Sequence, residues 1–251
     1  MDLLERLRKT LPIPKLESFD RILVVQPHPD DADIAIGALI AKLTDEGKDV
    51  IYLTVTDGSL GTRDPKLSRE YLKKVRRKEQ ERAAEILGVR ELIWLDFQDG
   101  GDYTEHEAML EIARVIREVK PQTVLTVDPF LKYEVHPDHR KVGMAASAAA
   151  LLHQFPLLEI PGNAEKFVEA VGYFFTSKPN ELFCVEDYLQ KKLEAISKHE
   201  SQFTKESLQL LEMYLREKGR WLAKDMGCGY AEGIRMMRTT MLHAFPEAEI
   251  L

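Results

Sequence analysis

The sequence predicts an α/β fold in which a mostly parallel sheet carries helices on both faces, within a single domain of residues 1–251. Short apolar runs and helical patterns alternate four times in the first 153 residues, which indicates parallel strands joined by right-handed helical crossovers. The chain has 251 residues, 44% of them hydrophobic and 31% charged, as in soluble globular proteins. It contains no repeat, low-complexity segment or linker, so one domain is the economical interpretation.

Each element follows from a local pattern. Short apolar runs predict strands, and apolar residues at helical spacing predict helices, such as SREYLKKVRRKEQERAAEIL, which ends at Gly88. The expected strands are 21–26, 50–56, 92–95, 123–127, 171–176 and 182–185. The expected helices are 32–46, 68–87, 104–119, 139–153, 187–199 and 204–219.

Charge and composition exclude several classes of partner. The formal net charge is −7, which does not favour nucleic acid or an anionic membrane. No run approaches the roughly 20 apolar residues that cross a membrane, and the N-terminus MDLLERLRKT has no signal-peptide core. The two cysteines, Cys184 and Cys228, form no CxxC pair, so we expect buried free thiols in a reducing cytoplasm.

The predicted topology brings two histidine segments together. In the common doubly wound order 3-2-1-4, the first and fourth strands are neighbours, and ligands bind at their carboxyl ends. QPHPDDADIAIGAL follows the first strand, and HPDHR follows the fourth. We therefore expect His28, His136 and His139 to meet at one crevice, although about 110 residues separate the two segments.

Imidazoles and carboxylates at one crevice form a good ligand set for zinc or another borderline divalent metal. A catalytic zinc takes three protein ligands and leaves a fourth position open. His28 would be one ligand, Asp30 or Asp31 the second, and His136 or His139 the third. The remaining carboxylate suits a general base, and the remaining histidine suits an oxyanion stabiliser or a proton donor. Both segments could also be only helix caps, but two of them at one crevice favour a metal.

PHPDD after the first strand, with the later HPDH, resembles the LmbE-like, or PIG-L-type, zinc deacetylases. RRKEQERAAEILGV is similar to the RxxE helix of that family, and TDGSLGT, HESQ and YAEGIR are similar to other motifs of it. The loop DPFLKYEVHPDH and the tail RTTMLHAF most closely resemble the diacetylchitobiose deacetylases. The resemblance covers most of the chain. It implies a Rossmann-like fold and the removal of acetyl groups from N-acetylglucosamine-containing compounds.

The resemblance also implies a role for each residue of the crevice. His28, Asp31 and His139 are the implied Zn²⁺ ligands. Asp30 is the implied general base, and a protonated His136 is the implied oxyanion stabiliser. The chemistry of the residues alone does not distinguish Asp30 from Asp31.

Four further residues are candidates for substrate binding. Arg76 stands at the position of the RxxE arginine and could reach a sugar hydroxyl. Asp99 and Asp128 end apolar runs near the crevice and could bind hydroxyls or orient a histidine. His243 lies in the tail that resembles the chitobiose-type members, which suggests a lining position across a subunit boundary. The same resemblance implies a homo-oligomer, with a hexamer as the candidate state.

The resulting prediction is a cytoplasmic, zinc-dependent hydrolase of an amide bond, acting on N,N′-diacetylchitobiose or a small chito-oligosaccharide in chitin degradation. One alternative is the same chemistry on a thiol precursor of the GlcNAc-malate type. A second is a nucleotide-binding or methyl-transfer domain. The missing glycine fingerprint and the acids after the first strand argue against it. A third is a metal-binding protein of this fold without turnover.

Overall fold

The computed structural model describes residues 3–250. Within that range the strands are β1 (Arg21–Gln26), β2 (Asp49–Thr56), β3 (Glu91–Phe97), β4 (Thr123–Val127), β5 (Ala170–Phe174), β6 (Glu181–Cys184) and β7 (Ala231–Arg238). The helices are α1 (Leu3–Thr10), α2 (Asp31–Asp45), α3 (Arg69–Leu87), α4 (Glu105–Val119), α5 (Pro137–Leu152), α6 (Leu189–Ile196) and α7 (Lys205–Ala223). None of these helices combines the length and apolar character needed to cross a bilayer.

The strands form one sheet in the order β3-β2-β1-β4-β5-β7-β6. Strands β1 to β5 run parallel, and β7 is antiparallel to both of its neighbours. The α/β class, the mostly parallel sheet and the order 3-2-1-4 of the first four strands are therefore confirmed. A reversal of chain direction falls between β1 and β4, and it opens a crevice at the carboxyl ends of these strands.

Both faces of the sheet are buried, as the apolar runs predict. Side chains alternate along a strand, so Ile22 and Val24 of β1 pack in a core with residues of α2 and α3. Leu23 and Val25 point to the other face and pack with residues of α4 and α5. Full burial of one such aliphatic side chain contributes about 1.5–3 kcal/mol, and this packing holds the strand ends in fixed register.

Helix α3 carries two side chains to the end of β1. The hydroxyl of Ser68 caps its start by accepting from the backbone N–H of Tyr71 at 3.2 Å. Gly88 ends it with φ of 77°, a left-handed conformation that glycine adopts readily. Arg76 and Gln80 lie one turn apart and both reach the loop after β1.

The pattern of the sequence did not predict β7. Its sequence AEGIRMMR mixes charged and glycine residues with the apolar ones. Glu232 is nevertheless buried in this strand, because its carboxylate forms an ion pair with the buried Lys192. The partner lies on α6, so nothing local in the strand reveals that the charge is compensated.

The expectation of free thiols is wrong, because Cys184 and Cys228 form a disulfide. Antiparallel pairing places Cys184 of β6 opposite Ala231 of β7. This brings together two cysteines separated by 44 positions, with their Cα atoms 6.1 Å apart. The pair depends on a non-local strand contact that cysteine spacing does not show. The argument for a reducing compartment that rested on free thiols is therefore lost.

Candidate metal centre

The two histidine segments meet at the carboxyl edge of the sheet. Strands β1 and β4 pair in parallel from Ile22 with Thr123 to Val25 with Thr126, so the loops that follow them are neighbours. The ring of His28 lies edge-on to that of His136, with centroids 4.6 Å apart, and 5.4 Å from that of His139. The crevice expected from the strand order is thus present.

The carboxylate of Asp31 lies between two imidazoles. Its Oδ2 is 3.3 Å from Nδ1 of His28, and its Oδ1 is 3.3 Å from Nε2 of His139. One ligand atom from each of the three residues lies within 4.8 Å of the others. Two imidazole nitrogens and one carboxylate oxygen suit a catalytic divalent ion with three protein ligands. These residues therefore fit the metal site that the sequence predicts.

A carboxylate also lies behind each imidazole, on the nitrogen that faces away from Asp31. Nε2 of His28 is 3.3 Å from Oδ1 of Asp99 and 3.5 Å from Oδ2 of Asp138. Nδ1 of His139 is 3.1 Å from Oε2 of Glu134. Carboxylates in this position orient metal-binding histidines and fix their tautomers. This arrangement leaves Nδ1 of His28 and Nε2 of His139 for an ion.

Asp138 was not among the residues selected from the sequence. It is fully buried and accepts hydrogen bonds from the backbone N–H of Gly100 at 2.8 Å and the hydroxyl of Tyr103 at 2.9 Å. The pKa of Asp138 is lowered, because its contacts, led by His28, outweigh the effect of burial. Asp138 occupies the same place in HPDH as Asp30 does in HPDD. This similarity was the feature of the sequence that could have identified Asp138 as a site residue.

The carboxylates of the cluster favour positive charge on the imidazoles of His28 and His139. Burial lowers the pKa of His28, but Asp138, Asp31 and Asp99 outweigh it and raise the pKa well above its ordinary value. Burial likewise lowers the pKa of His139, and Asp31 raises it by more. A divalent cation would take the place of those protons, because ligands bind metals in their deprotonated forms.

Asp30 and Asp31 are adjacent but have opposite environments. Asp30 has φ of 115°, a rare conformation outside glycine that Asp and Asn tolerate best. Its Oδ2 is 3.1 Å from the guanidinium of Arg76, and its N–H donates to Gln80 at 2.9 Å. Burial raises the pKa of Asp30, whereas His139 and His28 outweigh burial and lower that of Asp31. Such divergence separates a proton-transfer group from an ionised ligand.

The structure brings two of the four predicted substrate residues to this cluster. Arg76 is buried and donates to the carbonyl oxygens of Pro29 and Gly58 at 2.6 and 3.0 Å, so here it holds the loop that carries Asp30. Asp99 faces His28, and its carboxylate also accepts from the backbone N–H of Leu60 at 3.0 Å. Sugar contacts of these two side chains stay predictions.

The other two predicted substrate residues lie elsewhere. Asp128 accepts from the backbone N–H of Phe130 at 2.9 Å and lines a separate cavity with Tyr173 and Arg235. His243 is exposed in the C-terminal segment. Its ring makes no hydrogen bond, ion pair or ring contact with any residue in the range 3–250. Neither residue joins the cluster within this chain.

A second buried network, which sequence reasoning missed, supports the loop after β1. Asp33 accepts from the hydroxyl of Tyr52 and the amide of Gln80, each at 2.9 Å, and lies 2.8 Å from Nε2 of His199. Gln80 also accepts from the backbone N–H of Asp30, so the network reaches the candidate base. His199 belongs to HESQ, and that motif was the only signal for it.

The rest of HESQ also binds the first half of the chain. The hydroxyl of Ser201 donates to Glu79 at 2.7 Å. The side-chain amide of Gln202 donates to the carbonyl oxygen of Gly61 at 3.1 Å. Three residues of HESQ, His199, Ser201 and Gln202, therefore form a seam, called here the HESQ seam, between the segment that precedes α7 and the elements that carry the cluster.

Comparison with known proteins agrees with this geometry. The profile of the PIG-L family, described as GlcNAc-PI de-N-acetylase, matches residues 23–150. Diacetylchitobiose deacetylase of Thermococcus kodakarensis is 41% identical over 235 residues, which cover 92% of this chain and 88% of that protein. A Bacillus anthracis protein named "Probable N-acetyl-alpha-D-glucosaminyl L-malate deacetylase 2" is 32% identical over 219 residues, covering 81% and 92%.

A solved structure is similar over the whole length. N,N′-diacetylchitobiose deacetylase from Pyrococcus horikoshii, complexed with its inhibitor MPG, has a TM-score of 0.91 at 33% identity. The alignment covers 100% of this chain and 99% of that one. Residues 23–150, which the family profile matches, include every side chain of the histidine and carboxylate cluster described above. The chain belongs to the PIG-L, or LmbE-like, family of deacetylases.

Proposed function

We propose that the protein is a zinc-dependent hydrolase that removes the acetyl group of an N-acetylglucosamine unit, with N,N′-diacetylchitobiose as its preferred substrate. One observation carries the chemistry: a carboxylate held between two imidazoles at the crevice, with a second carboxylate of raised pKa beside it. The identity of 41% with a diacetylchitobiose deacetylase supports the choice of substrate.

His28, Asp31 and His139 would hold the ion. Zinc bound there would supply Lewis acidity, which lowers the pKa of water toward about 7 and polarises a carbonyl oxygen. The carboxylates of Asp99 and Glu134, on the far side of the imidazoles, would keep the two rings in the orientation that binds a metal.

Asp30 would accept a proton from the water that attacks the acetamide carbon. Burial raises the pKa of Asp30, and a carboxylate with a raised pKa is a stronger base near neutral pH. Arg76 holds its carboxylate at 3.1 Å, so the base is positioned before substrate arrives. Once protonated, the same carboxyl group can donate its proton to the leaving sugar amine, so that acetate and a free amine are released.

His136 would donate a hydrogen bond to the oxygen that gains charge. Its Nδ1 accepts from the backbone N–H of Asp138 at 3.3 Å, which favours the tautomer that carries the proton on Nε2. Burial and the neighbouring His28 and His139 lower the pKa of His136. The neutral ring is therefore the expected donor, in place of the protonated ring expected from the sequence. Such donors lower the barrier by a few kcal/mol, on the order of 3.

We also propose that the protein is a homo-oligomer, in which the exposed His243 of one subunit approaches the cluster of another. We further propose that the protein is located in the cytoplasm.

The test is the release of free amine from N,N′-diacetylchitobiose, N-acetylglucosamine and GlcNAc-malate by metal-depleted and zinc-reconstituted protein. We expect release only with zinc, and the highest kcat/KM on N,N′-diacetylchitobiose. Faster turnover of GlcNAc-malate would overturn the proposed substrate. If a zinc-loaded chain released amine from none of the three compounds, the proposed activity itself would be wrong.

A further inference from the structure

A cavity of about 600 Å³ leads from the cluster to the protein surface. Asp31 and His139 line its inner end, together with Phe175, whose ring stacks on that of His139 with centroids 6.2 Å apart. Its volume lies in the range of small-molecule sites, about 300–1,000 Å³. An acetamide group that meets the cluster would leave most of this space for the rest of a substrate.

The outer wall of the cavity is one face of α7. Tyr214, Lys218, Trp221 and Leu222 line it, at a spacing that places them on the same side of a helix. The residues Tyr214 and Trp221 are 57% and 65% exposed. Two large exposed rings at the mouth of a cavity indicate a binding surface more than a packing surface.

The neighbouring, inner face of α7 packs closely on the start of β7, and part of that face also lines the cavity. Gly219 lies against the ring of Tyr230, and a Cβ atom at this position would stand 2.1 Å from it. Leu215 and Ala223 are buried on the same side. The helix is therefore fixed by its inner face, and the outward direction of Trp221 is a consequence of that packing.

Two lysines of this cavity differ in their partners. Lys192 forms a buried ion pair with Glu232. The ammonium of Lys218 makes no hydrogen bond or ion pair within residues 3–250. Burial and the nearby Lys192 lower the pKa of Lys218. A half-buried cation without a hydrogen-bond acceptor is unfavourable, so a polar group of a ligand would complete its surroundings.

We propose that this cavity binds the second sugar of a chito-oligosaccharide, next to the unit whose acetamide meets the cluster. A pyranose ring has an apolar C–H face, which would stack on Trp221, and a hydroxyl edge, which would accept from Lys218. A malyl group has no flat apolar face for an aromatic ring. The inference rests on the proposed function and extends it by naming the residues that select a disaccharide.

Kinetics of two substrates test the assignment. We expect Trp221→Ala to lower the ratio of kcat/KM for N,N′-diacetylchitobiose to that for N-acetylglucosamine by about tenfold. The loss should come mainly from a higher KM, because the contact is remote from the reacting bond. Lys218→Met should lower the same ratio in the same direction. Trp94→Ala and Lys224→Met are the matched controls, since neither residue lines the cavity, and both should keep the wild-type ratio.

A binding measurement separates this inference from the proposed activity. The chain has two tryptophans, so Trp94→Phe leaves Trp221 as the only one. In this background, with Asp30→Asn to stop turnover, N,N′-diacetylchitobiose should change the fluorescence of Trp221 in a saturable way. N-acetylglucosamine should bind about tenfold more weakly, which corresponds to 1.4 kcal/mol.

Opposite outcomes identify which idea fails. If zinc-loaded protein releases no amine but Trp221 still reports N,N′-diacetylchitobiose, the subsite stands and the activity does not. If turnover is normal, while Trp221→Ala keeps the wild-type ratio and its fluorescence is unchanged by sugar, the subsite is wrong. Selective loss of GlcNAc-malate turnover in Lys218→Met, with no effect of Trp221→Ala, would also overturn it in favour of a carboxylate.

Discussion

The backbone at Asp30 decides what two adjacent carboxylates can do. Side-chain chemistry gives no reason to prefer Asp30 or Asp31 as a ligand, and the sequence left both open. Positive φ at Asp30 directs its carboxylate toward Arg76, while Asp31 faces two imidazoles. This separation depends on a turn conformation, which no motif describes, and on Arg76 of α3, whose RxxE motif identifies the residue but not its contact with Asp30.

Asp30→Asn should abolish proton transfer without loss of the metal site. Asn tolerates the positive φ of this position, and His28, Asp31 and His139 are unchanged. We expect kcat to fall by about 10²–10⁴, with zinc still bound at one ion per chain by metal analysis. Asp225→Asn, which replaces an exposed carboxylate, should behave as wild type. Wild-type kcat in Asp30→Asn would remove this residue from the base role.

At the scale of elements, the segment between β6 and β7 leaves the sheet and returns to it, and a disulfide joins its two ends. Residues 185–227 contain α6 and α7, and the disulfide between Cys184 and Cys228 closes this loop. A crosslink restricts the unfolded chain in proportion to the logarithm of loop length, and 44 positions correspond to about 4 kcal/mol. The disulfide therefore supports the wall that carries Trp221.

Reduction of the disulfide should lower the free energy of unfolding by about 4 kcal/mol. Guanidinium unfolding with and without reductant measures the difference. A double variant, Cys184→Ala with Cys228→Ala, should resemble the reduced wild type and should not respond to reductant. Equal unfolding midpoints for oxidised and reduced protein would show that the crosslink contributes little.

The local sequence pattern predicted the elements that local residues mark, and it failed for features that depend on a partner distant in the sequence. Strands β1 to β6 were identified because apolar runs and turn residues mark them. Strand β7 was missed because Glu232 is compensated by Lys192, and the disulfide because β6 and β7 pair. At the site, topology predicted the meeting of His28 with His136 and His139. It could not predict Asp138 or Glu134, whose roles depend on side-chain orientation behind the rings.

At the scale of the whole molecule, the cluster concentrates acidic side chains in a protein of net charge −7. Carboxylates in or behind the cluster belong to Asp30, Asp31, Asp99, Glu134 and Asp138. Without a cation they repel one another across a buried space. The folded state should therefore bind zinc far better than the unfolded chain, and its stability should depend on zinc concentration.

Zinc at 100 times its dissociation constant should raise the free energy of unfolding by about 2.7 kcal/mol. Calorimetry of chelator-treated protein, before and after zinc addition, should show the corresponding rise in Tm. His139→Ala removes a ligand and should abolish the rise. His106→Ala, at an exposed position outside the cluster, should keep it. An equal rise in His139→Ala and wild type would place the ion elsewhere.

The HESQ seam has a consequence for how such an enzyme can diverge. Every residue of the cluster precedes position 140, whereas α7, the wall of the cavity, lies within the disulfide-closed segment of residues 185–227. His199, Ser201 and Gln202 join this segment to the part of the chain that carries the cluster, and Tyr188 and Lys192 join it to α2. The reactive residues and the helix proposed to select the substrate therefore lie on separate stretches of chain, which meet at the HESQ seam and where α6 packs on α2 and α3. As long as the contacts of the HESQ seam are kept, a different helix could replace α7, and the enzyme could change its substrate while its chemistry stays the same.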